Sequence, residues 1–230
     1  MDKKEALDSI QLIRKVISYT NPEYYKGIKP CIFFFVYLAA KCLVNVAHGI
    51  YVSMGGNDHV VIRFFSAAYG WLSLIFVVAG LLAYVIFFRR KLLVERAFAE
   101  IWLILPMICV IIQRLQLYLL NIGIFNLKEG IGLTGYIFGY SQSAVQGNLM
   151  LIAFLMFTCI MASSIITNDR IQKRAAAVFL LLSLGAFLFK DINTSVYVYS
   201  FSFAYMYGLA TAFMAWIIYR LKTINKTIEK

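Results

Sequence analysis

Residues 64–91 read FFSAAYGWLSLIFVVAGLLAYVIFFRRK, a long uncharged stretch that ends in three consecutive basic residues. A run of about 20 apolar residues can cross the hydrocarbon core of a bilayer as a helix. Basic residues near the ends of such helices remain on the cytoplasmic side of the membrane. The stretch therefore predicts a membrane-spanning helix whose carboxyl end lies in the cytoplasm.

The same alternation of apolar stretches and charged joints continues along the chain. The predicted spans are 31–54, 62–88, 97–124, 148–168, 174–190 and 196–219. The segment before the first span, the joints after the second and fourth spans, and the carboxyl-terminal tail are rich in Lys and Arg. The only basic residues at the intervening joints are Arg63, Lys128 and Lys190. We therefore predict an all-α integral membrane protein with a six-helix transmembrane domain over 30–220, both termini cytoplasmic, in the cytoplasmic (plasma) membrane.

Composition supports a membrane domain and excludes other classes of protein. The 230 residues are 62% hydrophobic, with a mean hydropathy of +0.78, whereas globular proteins are about half apolar. The net charge of +11 is concentrated in the predicted cytoplasmic joints, where it suits an anionic inner leaflet. We therefore expect the lipid bilayer as a partner, and no nucleic acid.

The two ends of the chain are predicted to lie at the cytoplasmic surface. Within residues 1–29, Leu7, Ile10, Ile13 and Ile17 repeat at helical spacing and predict an amphipathic helix in the interface plane. This helix either anchors the chain to the bilayer or docks a cytoplasmic partner subunit. Residues 221–230 are predicted to form a basic cytoplasmic tail.

No motif in the sequence identifies a reaction, a metal site or a cofactor. The glycine-rich joint over 125–147 contains a G-x-G-x-x-G pattern at 130–135, but it follows a predicted membrane helix rather than a strand. We interpret this apolar joint as either a re-entrant lid over the bundle or a structured loop. Pro106 predicts a kink in the third span. The four cysteines have no metal-binding spacing and are predicted to serve in packing.

A stripe of polar residues follows one face of the first predicted span. Tyr37, Lys41, Asn45 and His48 are separated by four, four and three residues, which places them on the same side of a helix. A charged group at the centre of a membrane helix costs at least about 2.5–3.5 kcal/mol. The stripe is therefore a candidate ligand-binding surface.

Two other spans bring polar or aromatic residues to the same outer half of the membrane. The third span contributes Gln113, Arg114 and Tyr118, and an arginine there needs water, an acid or a polar ligand. The outer half of the sixth span carries an aromatic residue at every second position. The residues predicted to contact a ligand there are Tyr197, Phe201 and Tyr205.

Small residues in the sixth span predict close helix packing. Ala204, Gly208 and Ala212 recur every four residues, a spacing that lets two helix backbones approach closely in a membrane.

The predicted buried charges do not balance. Lys41 and Arg114 are basic, and the only acid inside a predicted span, Glu100, lies at the inner end of the third. Either Lys41 gives up its proton on burial, or an anion comes from elsewhere. That anion would be a small molecule, a lipid headgroup, or an acidic residue of a partner membrane subunit.

Three functions follow from this imbalance. The first is a protein that binds or transports an anionic or aromatic-compatible small molecule through a pocket in the outer half of the bundle. One form of this hypothesis makes the chain the membrane subunit of a larger transporter. The second is a non-transport subunit, such as a sensor, immunity or assembly protein, whose Lys and Arg pair with a partner's acids. The third is a lipid-modifying enzyme with Lys41 or His48 as general base, for which no nucleophile is evident.

The layout resembles two kinds of transporter subunit. In size and number of spans the chain is similar to the substrate-binding subunits of vitamin transporters. Its amino-terminal surface helix is similar to that of permease subunits of exporters driven by a separate ATPase. Both likenesses are architectural and cover no motif.

Overall fold

The computed structural model describes residues 28–56, 58–89, 93–121, 142–185 and 196–228. Helix accounts for 94% of these residues, and no strand occurs among them. The predicted amphipathic helix near the amino terminus lies outside the described residues, as do the last two residues of the tail and most of the glycine-rich joint. The all-α class predicted from the sequence is confirmed for the described part of the chain.

The helices follow one another with short connections where the connections are described. In chain order they are α1 (Ile28–Ser53), α2 (His59–Ala83), α3 (Leu93–Ala99), α4 (Leu105–Asn121), α5 (Gln142–Ile166), α6 (Arg170–Ser183) and α7 (Val196–Ile228). One π-helical turn, Tyr84–Phe88, extends α2, and a second, Glu100–Ile104, joins α3 to α4. The alternating aromatic residues of the sixth predicted span therefore lie on a helix, as expected where no strand could pair its backbone in lipid.

Five of the described helical segments are long and apolar enough to cross a membrane. They are Ile28–Ser53, His59–Phe88, Glu95–Leu115, Asn148–Ile166 and Phe201–Thr223. These segments indicate an integral membrane protein. The fifth predicted span, 174–190, overlaps α6, which has 14 residues and does not meet the same criteria. The six-span topology and its orientation remain predictions.

Helices α1 and α7 run antiparallel in close contact. A Cβ atom added at Gly49 of α1 would lie 3.3 Å from the Phe201 ring, and one added at Gly208 of α7 would lie 3.5 Å from the Cys42 sulfur. The Cys42 thiol also donates a hydrogen bond to the Ala204 carbonyl at 3.5 Å. Ala204 and Gly208 therefore lie at this interface, whereas Ala212 is exposed.

The π-helical turn before α4 has a cause in the sequence. In this turn the Leu105 N–H bonds to the Glu100 carbonyl, and Pro106 has no N–H to donate to the preceding turn. The Ile101 carbonyl therefore loses both its ordinary and its π-helical partner, and it accepts a hydrogen bond from the Cys159 thiol at 3.3 Å. Next to Pro106, where the sequence predicts a kink, the helix thus has a wider turn that is bonded to α5.

Aromatic side chains fill the bundle on the side of Lys41 nearer the start of α1. Tyr37 stacks on Phe76 of α2 with ring centroids 4.1 Å apart, and Phe34 lies 6.1 Å from the fully buried Trp102. On the other side of Lys41, towards the end of α1, the stripe continues with Asn45 and His48. A cavity lies there.

The turn between α5 and α6 is fixed by one acidic residue. The Asp169 carboxylate accepts a hydrogen bond from the Ile171 N–H at 2.9 Å, which caps α6. The same carboxylate accepts a hydrogen bond from Arg220 near the end of α7 at 3.1 Å. This ion pair connects the turn to the last helix.

Candidate functional site

The polar stripe of α1 faces the interior of the bundle. Lys41 is fully buried, and Asn45 and His48 are 7% and 8% exposed. The Asn45 amide donates to the Lys41 backbone carbonyl at 2.8 Å, as expected for residues one helical turn apart. The helical spacing of these residues in the sequence therefore corresponds to one buried face.

Helix α2 supplies the acceptors for the Lys41 amine. The Lys41 Nζ donates to the Tyr69 backbone carbonyl and to the Ser73 hydroxyl, in both cases at 2.7 Å. It also lies 3.0 Å from the centroid of the Tyr69 ring, within the range of a cation–π interaction. A buried amine is therefore satisfied by neutral groups of a neighbouring helix.

The guanidinium of Arg114 reaches the same two acceptors from α4. Its Nη2 atom donates to the Tyr69 carbonyl at 2.9 Å and to the Ser73 hydroxyl at 3.0 Å. The Ser73 hydroxyl in turn donates to the Tyr69 carbonyl at 3.1 Å. Two basic side chains from different helices thus converge on one turn of α2. We call Lys41, Tyr69, Ser73 and Arg114 the basic cluster.

The basic cluster is also connected to α7. The Tyr69 and Tyr207 hydroxyls share a hydrogen bond of 2.7 Å, and Tyr207 is 2% exposed. Four helices therefore meet at this point of the bundle, and the position of each basic side chain is fixed by contacts to at least one other helix.

A polar cavity of about 80 Å³ lies beside the basic cluster. Its walls come from α1, α2, α4, α5 and α7. The lining residues are Val44, Asn45, His48, Ile62, Phe65, Ser66, Tyr69, Gln113, Arg114, Asn148 and Phe203. Four residues predicted from the sequence, Asn45, His48, Gln113 and Arg114, thus line one cavity, while Lys41 lies behind the Tyr69 part of its wall.

The remaining predicted residues lie elsewhere or beyond the described side chains. Phe201 packs against Gly49 of α1, and the Tyr205 hydroxyl donates to the Leu182 carbonyl of α6 at 2.9 Å. Neither residue lines the cavity. Tyr118 and Tyr197 lie within α4 and α7, but their side chains fall outside the described part of the chain.

Several residues of the site were not predicted from the sequence, among them Tyr69, Ser73, Asn148 and Phe203. On α2, Ser66, Tyr69 and Ser73 are spaced by three and four residues, so they form a second polar stripe in an otherwise apolar span. That spacing was a usable signal. The Tyr69 backbone carbonyl, however, accepts from Lys41, Arg114 and Ser73, and a sequence gives no sign of which backbone carbonyl acts as an acceptor.

No carboxylate among the described residues contacts Lys41 or Arg114. Glu100 has other partners: its carboxylate accepts hydrogen bonds from Arg96 at 2.8 Å and from the Tyr84 hydroxyl at 2.9 Å. It also precedes Arg114 by fourteen residues, which corresponds to about 21 Å along a helix. The charge imbalance expected from the sequence therefore persists in the described structure.

The geometry of Ser73 does not suit nucleophilic catalysis. A serine nucleophile needs a base that accepts its proton, whereas both basic side chains donate to the Ser73 oxygen and its own proton is directed at a carbonyl. Among the described residues, no group of three or more His, Cys, Asp or Glu could hold a metal ion.

A second cavity, of about 340 Å³, lies near the start of α1. Its described lining is mainly apolar and includes Phe33, Phe87 and Leu103, and the ionisable residues in that described lining are Lys29 and Glu95. The smaller cavity brings together more polar groups from more helices, so it is the better candidate for specific recognition.

The fold and the site together define a helical integral membrane protein in which a basic cluster, with Lys41 buried and Arg114 half-buried, lies beside a small polar cavity. Comparisons of the chain with protein-family models, curated proteins and solved structures found no match. The chemistry of the site therefore has to be inferred from its own residues.

Proposed function

We propose that this protein binds a small anion in the polar cavity, either to capture it or to carry it across the membrane. The observation that carries this proposal is the position of Arg114. Its guanidinium lines the cavity and is bonded to neutral acceptors, with no carboxylate contact among the described residues. Arg114 is half-buried within a membrane-spanning segment. Arginine stays protonated in proteins, and a charge inside such a segment is costly without a counter-charge. An anion in the cavity would offset that cost.

The charge pattern of the sequence suggests which side of the membrane the cavity faces. It lies near the end of α1 and the beginning of α2, away from the basic joint that follows Phe88. The positive-inside rule puts that joint in the cytoplasm. On this proposal both termini are cytoplasmic, the chain crosses the plasma membrane six times, and the anion enters from the outer side.

The burial of Lys41 weighs against the alternative of a subunit whose basic residues pair with acids of a partner. Its amine is fully buried and bonded to α2 within the same chain. An acid on a partner helix would have to replace those bonds. A bound anion needs no such rearrangement, because it can reach Arg114 through the cavity.

The test is anion binding by the full chain in lipid nanodiscs, with acetate, propanoate, phosphate and sulfate as probes. Isothermal calorimetry should detect at least one of them, and Arg114→Gln should weaken it about tenfold or more. This follows because a hydrogen bond to a charged group contributes about 1.5–3 kcal/mol. Arg63→Gln is the matched control, since Arg63 is exposed near the same end of the bundle.

Native mass spectrometry of the protein from its own membrane separates the sources of the anion. A small adduct that Arg114→Gln removes would support capture or transport, and a phospholipid adduct with the same sensitivity would identify a headgroup. Equal affinity of wild type and Arg114→Gln for every probe would refute the proposal. A stoichiometric second protein, lost on Lys41→Glu, would favour the subunit alternative instead.

A further inference from the structure

The side chain of Asn148 is a buried polar group that the basic cluster does not use. Asn148 lies on α5, is 8% exposed, and lines the polar cavity. Its Oδ1 atom has no hydrogen-bond partner among the described residues. Buried polar atoms in folded proteins nearly always have a partner. The cavity is therefore expected to receive a group that donates a hydrogen bond to Asn148.

The cavity thus offers two complementary kinds of contact. Arg114 on α4 is a donor with a fixed positive charge, and the Asn148 oxygen on α5 is an acceptor. Chloride or sulfate satisfies the first contact but has no proton for the second. A ligand that satisfies both must carry an anionic group and a hydrogen-bond donor.

The size and remaining walls of the cavity narrow the class of ligand. A buried water needs roughly 10–15 Å³ of such space, so a cavity of about 80 Å³ accommodates about five to eight water-sized groups. The apolar part of the lining includes Ile62, Phe65 and Phe203. These dimensions suit a short carboxylate with a small apolar substituent.

We infer that the ligand is a short carboxylate with a donor on the neighbouring carbon, that is, a small 2-hydroxy acid or 2-amino acid. Arg114 binds the carboxylate, and Asn148 accepts from the hydroxyl or ammonium group. This inference rests on the proposed function, because it specifies the anion that the same cavity binds.

Three probes with the same three-carbon skeleton test the inference: propanoate, lactate and alanine. They differ only at carbon 2, which carries hydrogen, a hydroxyl or an ammonium group. We expect the wild-type chain in nanodiscs to bind lactate or alanine about tenfold or more tightly than propanoate, since a site built for a donor rejects the analogue that lacks it. This comparison needs no variant.

Two substitutions at Asn148 then assign the preference to that residue. Asn148→Leu, of similar size, should remove the preference and leave propanoate binding within about twofold of wild type. Asn148→Asp separates the two ligand classes. Its carboxylate should keep or strengthen alanine binding through the ammonium, and weaken lactate and propanoate about tenfold or more by repulsion.

The outcomes distinguish this inference from the proposed function. Equal wild-type affinity for the three probes, or a preference that survives Asn148→Leu, overturns the inference. Propanoate binding that is lost in Arg114→Gln under those same conditions leaves the proposed function standing. If wild type binds none of these probes nor any of the anions above, both are overturned.

Discussion

The hydroxyl group of Ser73 is predicted to stabilise the bundle far more than an ordinary buried serine. It accepts hydrogen bonds from Lys41 on α1 and from Arg114 on α4. Ser73→Ala removes both of these bonds between helices, together with the bond that the hydroxyl donates to the Tyr69 carbonyl of its own helix, and changes the packing by a single oxygen atom. The Tyr69 carbonyl would remain as the only described acceptor for either basic group, so each would lose half of its hydrogen bonding.

The size of the effect follows from the number and kind of bonds lost. Hydrogen bonds between membrane helices contribute about 0.6 kcal/mol on average and up to about 1.7 kcal/mol. Two lost bonds therefore predict a loss of about 1–3.5 kcal/mol in the free energy of unfolding. Because hydrogen bonds to charged groups are stronger than average, we expect a value in the upper half of that range.

A double-mutant cycle measures the Lys41 share of this loss. Ser73→Ala is measured alone and together with Lys41→Met, by steric trapping in bicelles. Once Lys41 is replaced, the Ser73 hydroxyl no longer has the Lys41 bond to lose, so the two substitutions should couple by about 1 kcal/mol. Ser163→Ala is the control, because this fully buried serine donates to the Ile160 carbonyl of its own helix. Additive losses, or a Ser73→Ala loss no larger than that of the control, would refute the reasoning.

Three further substitutions test packing, a turn and topology. A Cβ at Gly80 would lie 2.7 Å from the Met107 sulfur. Gly80→Leu should therefore lower the free energy of unfolding by about 1–3 kcal/mol through overpacking, and an unchanged thermal midpoint would contradict this. Asp169→Ala removes the cap of α6 and the ion pair with Arg220, and it should lower the free energy of unfolding by about 1–2 kcal/mol. Asp169→Asn keeps the cap and should lower it by less. Equal shifts of the thermal midpoint in the two variants would show that the cap does not stabilise the protein. In intact cells an impermeant maleimide should label Lys128→Cys and not Lys91→Cys, and the reverse pattern would overturn the predicted orientation.

Much of the fold could be predicted because lipid restricts it so strongly. A chain that crosses a bilayer must satisfy its backbone internally, so apolar stretches such as His59–Phe88 can only be helices there. That constraint also outweighed the alternating aromatic pattern at the start of α7. The segment over 174–190 was harder to assign, because α6 begins with three basic residues among its first five and ends at Ser183.

The candidate site could be predicted only in part. Lys41, Asn45 and Arg114 stand out because polar side chains are expensive in a span. Their acceptors do not stand out: Ser73 is a common residue in membrane helices, and Tyr69 contributes a backbone carbonyl that every residue possesses. Asn148 is the first residue of the predicted fourth span, 148–168. An amide is common at the end of a helix, so its presence there does not indicate a binding site. The packing of α5 against α4 and α7 brings Asn148 to the cavity.

The neutral character of the acceptors on α2 explains why the basic cluster would suit an anion that must also leave. A carboxylate paired with Arg114 would satisfy its hydrogen bonding and cancel its charge, and the cavity would then have no attraction for an anion. A carbonyl and a hydroxyl satisfy part of the hydrogen bonding without changing the net charge. The guanidinium is thereby held in place, so less side-chain entropy would be lost when an anion binds. On the proposed function, the affinity for the anion would depend on the charge of Arg114 and on a few hydrogen bonds, which would let the anion dissociate again.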